Sequence, residues 1–316
     1  MPPPSLALVV VLAGLSFASC AGAKTPLLQP TMSVPGAHLW RAPTDLVARD
    51  LYYGPWGSAN APDPNGIYTF VERKHTGVNP GMTVVDAQGR EWSVKQAFPS
   101  GLDDEGPVEV VLSRLLSAVG YFQPPVYYTP TFTLRDDWDT HVEPGGRFRL
   151  KHETLEDEGS WRWEDNSFVG TPPYQGLLVL LMMFNSTDLK NGNNTLYRCL
   201  KDGRVEWWYV VRDLGAGLGD TNRMIPRKGH APAFERHPFV LGVRDGYVDF
   251  AYRGWYRALV RDRIRPQDVM WASHLLAGLS DRQWHDAFRA GGYDPHVAQR
   301  FIRRLHEKIR EGQSLN

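Results

Sequence analysis

Alternating apolar and polar positions open the ordered part of the chain. Residues 67–71, 82–86 and 92–98 carry β-branched and aromatic side chains at a period of two, separated by a turn-rich connection (74–81) and a tight turn (87–90). The pattern predicts three antiparallel strands in succession. The period then changes: Val108, Val111, Leu112, Leu115, Leu116 and Val119 recur at three- and four-residue steps, with Pro107 in the first turn and Gly120 as a stop. This is a helix with one apolar face. Further strands are expected at 126–128, 131–134 and 148–150, with polar surface loops at 136–146 and 153–166.

Residues 174–184 (YQGLLVLLMMF) are almost wholly apolar, and at that length they read as a buried core helix, too short for a membrane span. A polar loop follows, then a hairpin over 195–211 and helices over 268–279, 281–290 and 295–311. Strands in front and helices behind predict an α+β fold of two lobes.

Composition narrows the function classes. The 316 residues balance to a formal charge of zero, which gives no sign of a polyanionic partner such as nucleic acid. A hydrophobic fraction of 42% with 11 Trp describes an ordered protein, and the 24 Pro and 30 Gly are scattered through many turns. The apolar run at 7–18 has the length and small-residue ending of a secretory signal. Phe17-Ala18-Ser19-Cys20 reads as a lipoprotein cleavage site that would lipidate Cys20, and Ala21-Gly22-Ala23 as the alternative site for ordinary signal peptidase. The expectation is export to the periplasm or cell envelope, with a membrane tether through Cys20 in the first case. Cys199 would then be the remaining thiol, inside a strand and used for packing. The organisation expected is a signal at 1–23, a tether and irregular extension at 24–66, a first lobe at 67–135, a hinge and insertion at 136–173 and a second lobe at 174–316.

The candidate chemistry lies in four pieces. Asp188-Leu189-Lys190-Asn191-Gly192-Asn193 follows the buried helix, and Asp213-Leu214-Gly215 follows the hairpin. Val94-Lys95 lies on the third strand, and Glu109 near the start of the next helix. In this order they resemble the catalytic loop, magnesium motif, strand lysine and helix glutamate of the protein-kinase superfamily. The pattern departs from typical protein kinases in three places. Ser186-Thr187 replaces His-Arg before the aspartate, 76–81 replaces a complete glycine-rich loop, and no Ala-Pro-Glu follows Asp213. The sequence is therefore closer to atypical branches such as the HipA-type, phosphoinositide and secretory-pathway kinases.

The resemblance implies a two-lobed kinase-like fold, ATP and Mg²⁺ as cofactors, and a protein or small hydroxyl compound as acceptor. It implies that Lys95 pairs with phosphate oxygens and Glu109 with Lys95, and that Gly77 covers the phosphates. Asn193 and Asp213 would ligate Mg²⁺, Asp188 would accept the acceptor's proton, and Lys190 would steady the transferred charge. Phosphoryl transfer asks little covalent chemistry of a protein, so residues of opposite charge around a cation are what it requires. Two other functions use the same scaffold: a pseudokinase serving as a binding or scaffolding module, and an adenylyltransferase.

Overall fold

The computed structural model describes residues 37–74, 79–97, 105–221 and 227–315. Gly77, Cys20 and the whole signal region lie outside the described residues. Five strands form a closed barrel in the order β2-β3-β4-β6-β5: β2 (Ile67–Arg73), β3 (Gly81–Val85), β4 (Glu91–Gln96), β5 (Val126–Arg135) and β6 (Thr140–Leu150), preceded in the chain by the two-residue β1 (Ala37–His38). Its interior holds Tyr68, Met82, Val84, Trp92, Val94, Phe132, Leu134 and Phe148. Because side chains alternate along a strand, Trp92 and Val94 point inward while Ser93 and Lys95 face out of the barrel.

The loop expected at 136–146 is instead most of β6. Its polar residues, Pro144 and two glycines hide the strand from a periodicity search, but the glycines are what allow it to pass. A Cβ on Gly145 would lie 1.8 Å from the Thr129 carbonyl oxygen, and one on Gly146 would lie 2.3 Å from that of Lys95. The first lobe accordingly extends to Leu150 rather than ending at 135.

Helix α1 (Glu105–Ala118) lies between barrel and helices and is covered on nearly every side. Even Arg114 is buried, its guanidinium donating to the carbonyls of Val126 (2.7 Å) and Tyr52 (3.2 Å). Behind it a sheet of order β1-β9-β8-β7 is built from β7 (Leu155–Asp157), β8 (Asn194–Lys201) and β9 (Arg204–Val211). The apolar run forms α2 (Pro172–Met183), which starts where Thr171 Oγ1 accepts from Tyr174 N and runs through the main core. The remaining elements are α3 (Ala231–Arg236), the hairpin β10 (Val240–Arg244) and β11 (Tyr247–Phe250), and helices α4 (Pro266–Ala277), α5 (Asp281–Ala290) and α6 (Pro295–Gln313). The three C-terminal helices match the expected ones closely. The fold is α+β, with a β-rich first lobe and a mainly helical second lobe.

The stretch expected as a tether behaves otherwise where it is described. β1 pairs in parallel with β9 at Trp207 and Trp208. Trp40 Nε1 donates to the Val119 carbonyl (2.7 Å), Arg49 to those of Ser117 and Ala118, and Gln283 Nε2 to those of Leu46 and Arg49. Farther on, Trp56 Nε1 donates to the Gln123 carbonyl and Arg90 Nη1 to that of Ala59. Leu39 and Leu51 belong to the core. Residues 37–61 are thus a strap laid across both lobes.

Candidate active site

Lys95, Asp188, Lys190, Asn193 and Asp213 all line one cleft of about 290 Å³ between the lobes. Four separate elements deliver them. Strand alternation turns Lys95 out of β4, and the loop after α2 carries Asp188 and Lys190. Asn193 closes a 3₁₀ turn (Asn191–Asn193), and Asp213 follows β9 in a left-handed conformation (φ 52°). Backbone bonds lace the two loops together: Arg212 N to Asn193 O (2.9 Å), Thr187 N to Ala216 O (2.8 Å) and Leu218 N to Phe184 O (2.8 Å). Asn185, also left-handed at φ 54°, adds a side-chain bond from Nδ2 to Gly219 O (2.8 Å).

The lysine partner differs from the expected one. Lys95 Nζ lies 2.7 Å from Glu105 Oε2, whereas Glu109 Oε1 lies 3.1 Å from Arg147 Nε. Glu109 is one helical turn farther along α1, deep beneath the barrel, where the cross-strand neighbour of Lys95 claims it. Glu105 sits at the cleft-side end of the helix and also receives Lys228 Nζ (2.5 Å). Gly215 explains how Asp213 comes so close: a Cβ there would lie 2.6 Å from the Glu105 carbonyl oxygen. Gly215 and Gly217 therefore serve close packing against α1, a Cβ on the second lying 2.9 Å from Leu112 Cδ1.

Charge in the cleft is strongly coupled. Burial alone would lower the Lys95 ammonium's pKa, but Glu109, Glu105 and Asp213 together raise it. Burial would raise the Asp213 carboxyl's pKa, yet Arg149, Lys95, Arg147 and Arg212 hold it below the usual carboxylate range. Glu105 is lowered in the same way by Lys95 and Lys228 against its burial. At neutral pH the site holds ionised partners, Lys95 Nζ standing 4.0 Å from Asp213 Oδ1.

Asn193 donates its amide N–H to the Asp188 carbonyl (2.8 Å), which directs its amide oxygen to other use, and Asp188 Oδ2 pairs with Lys190 Nζ (2.8 Å). Among the described residues no group of three or more His, Cys, Asp or Glu is placed to hold a metal by protein ligands alone. A carboxylate and an amide oxygen, both hard donors, fit Mg²⁺, which keeps waters and substrate phosphates as its other ligands.

A larger cavity of about 600 Å³ lies behind the cleft, between the strap, the end of α1 and the β8–β9 hairpin, lined by Trp56, Phe122 and Trp208 among others. Size favours it, but the chemistry converges in the smaller one. The sequence offered Glu105 close beside Glu109 as the lysine partner, and the reading chose Glu109; it missed Arg147, Arg149 and Lys74 in the cleft, and the alternation Arg147-Phe148-Arg149-Leu150 was the signal for two of them.

Glu105→Gln and Glu109→Gln should separate two roles. The first is expected to lower turnover with little loss of stability. The second breaks a buried ion pair and should cost about 3–5 kcal/mol in urea unfolding.

No protein-family model matches the sequence, and no curated protein matches it. Among solved structures, the chain is similar to a proinflammatory kinase of Helicobacter pylori, CtkA, at 13% identity and a TM-score of 0.41, covering 78% of this chain and 94% of that one. It is also similar to a MAP kinase of Leishmania major at 14% identity and a TM-score of 0.23, over the same shares of the two chains.

Proposed function

We propose that this protein is a phosphotransferase of atypical kinase type that uses Mg²⁺ and a nucleoside triphosphate, with ATP as its donor, to modify a hydroxyl acceptor on a protein or small molecule. One observation carries the reading: Lys95, Asp188, Asn193 and Asp213, scattered through the sequence, line a single cleft. Lys95, held by Glu105, would bind phosphate oxygens. Asp213 and Asn193 would hold the magnesium ion, which when bound neutralises charge on the phosphate chain. Asp188, on the cleft wall, would take the acceptor's proton. Lys190 beside it would steady charge on the transferring group. Export, and a lipid tether at Cys20, stay part of the proposal on sequence grounds alone.

Incubation with ATP labelled at the γ or at the α position, followed by analysis of the modified products, tests the assignment. Transfer of γ label, lost on Asp188→Asn with nucleotide binding retained, is the expected result. Transfer of α label would make the protein an adenylyltransferase, and nucleotide binding with no transfer of either label would leave a binding module.

A further inference from the structure

Ser93 has no role in the scheme above, yet cations crowd around it. Lys74, just after β2, places Nζ on Ser93 Oγ. Arg147 Nη1 donates to the Ser93 carbonyl at 2.9 Å and reaches its hydroxyl at 3.4 Å. Arg149 is the cross-strand partner of Ser93, and its Nη1 is buried with no hydrogen-bond partner. Asn79 lines the same cleft with both side-chain amide atoms buried and unpartnered. Two carboxylates bear on the cluster: Glu109 is engaged by Arg147, and Asp213 interacts with Arg149, Arg147 and Lys74.

Holding three cations together away from water is unfavourable, and the groups register it. The Lys74 ammonium is brought down to about 8, first by burial and then by Arg149, Arg147 and Lys151. Arg149 is lowered too, by burial and then by Arg147 and Arg212. An anion at this wall would relieve the repulsion and supply the missing partners at once. A heteroaromatic base would not: it needs flat apolar faces, and of the two carbon-only residues lining this cleft Val94 turns its side chain into the barrel, which leaves Ala216. A phosphate needs many donors converging on it, and guanidinium groups supply them in a fixed fork.

We propose that Lys74, Arg147, Arg149 and Asn79 form a phosphate subsite on the inner wall of the cleft, adjoining Lys95 and Asp213. The subsite takes phosphate oxygens of the ligand other than those of the group transferred beside Asp188 and Lys190. Its assignment to a nucleotide rests on the function proposed above; its anion chemistry stands without it.

Calorimetric titration of the full chain with sodium tripolyphosphate, ATP and adenosine, each with Mg²⁺, tests this on wild type, Arg149→Gln and Lys74→Gln. Tripolyphosphate should bind wild type and compete with ATP. Each variant should weaken both of these ligands about tenfold or more, the loss of one charge-assisted contact, with adenosine unchanged. Lys74→Gln carries the test if Arg149→Gln does not fold. Unchanged tripolyphosphate affinity in the folded variants overturns the subsite, even if ATP still binds with Mg²⁺. Equal weakening of adenosine and ATP overturns it as well, because Arg149 would then read the base. Tripolyphosphate binding that depends on Arg149 while ATP fails to bind would uphold the subsite and sink the nucleotide reading instead.

Discussion

Asp213→Asn is expected to abolish Mg²⁺-dependent stabilisation by nucleotide and to lower transfer by about a thousandfold or more, the scale on which metal-assisted charge neutralisation acts. The reason is local. The residue's left-handed backbone aims one carboxylate at a cleft that also holds Lys95, Arg147 and Arg149, with Arg212 beside it in the chain. An amide keeps the shape and removes the charge on which a cation and four basic neighbours depend. The pH response follows from the same charge. The native carboxyl's pKa lies below the ordinary 3.8, so its contribution is complete above that value and is lost as pH falls through the lower native one. The variant should lack that segment of the acid-unfolding curve. Thermal melts with and without Mg²⁺-ATP, together with acid titration, measure both effects. Unaltered Mg²⁺-dependent binding in the variant would count against Asp213 as the metal residue.

Lys308→Met is expected to cost about 2 kcal/mol of stability and to depress activity by more than the lost folding accounts for. Lys308 is fully buried on α6, donating from Nζ to Met183 O (2.8 Å) and Asn185 Oδ1 (3.1 Å), with the ammonium 4.1 Å from the Phe234 ring centroid. It therefore ties the last helix to the end of α2 and to the residue that turns the chain toward Asp188. Methionine fills the space but leaves two buried acceptors without a donor; relief from burying a charge offsets part of the cost. Burial, and then Arg304, pull the lysine well below its ordinary value of 10.5. Between that lowered native value and 10.5 the unfolded chain binds the proton more tightly, so wild-type stability should rise with pH through this window. In Lys308→Met that rise should be absent. Urea midpoints across the window test the sign; a flat wild-type profile would contradict it.

These two residues show what the sequence could and could not disclose. Asp213 was legible because a short motif sits at the end of an apolar strand. Lys308 was not: on an amphipathic helix rich in Arg and Glu it resembles every solvated neighbour, and only packing distinguishes it. The same limit explains Glu105 and Glu109. Both lie within one turn of the start of α1, and spacing cannot say which faces the cleft, because that depends on how far the helix is rotated beneath the barrel. Strand order in the first lobe was half visible. The strands at β2, β3 and β4 alternate cleanly, whereas β6 breaks its pattern with Pro144, Gly145 and Gly146 at the point where three strands must crowd together. Residues 37–61 lack periodicity because their bonds run from side chains to distant carbonyls.

That strap has a mechanical consequence. Two lobes joined by a single connection can swing widely about it, but here a second run of chain spans their rear, fixed at β9, α1, α5 and the barrel. Opening of the front is then limited by how far this rear brace can stretch. A single peptide cut within the brace would loosen the front of the molecule without touching one residue there.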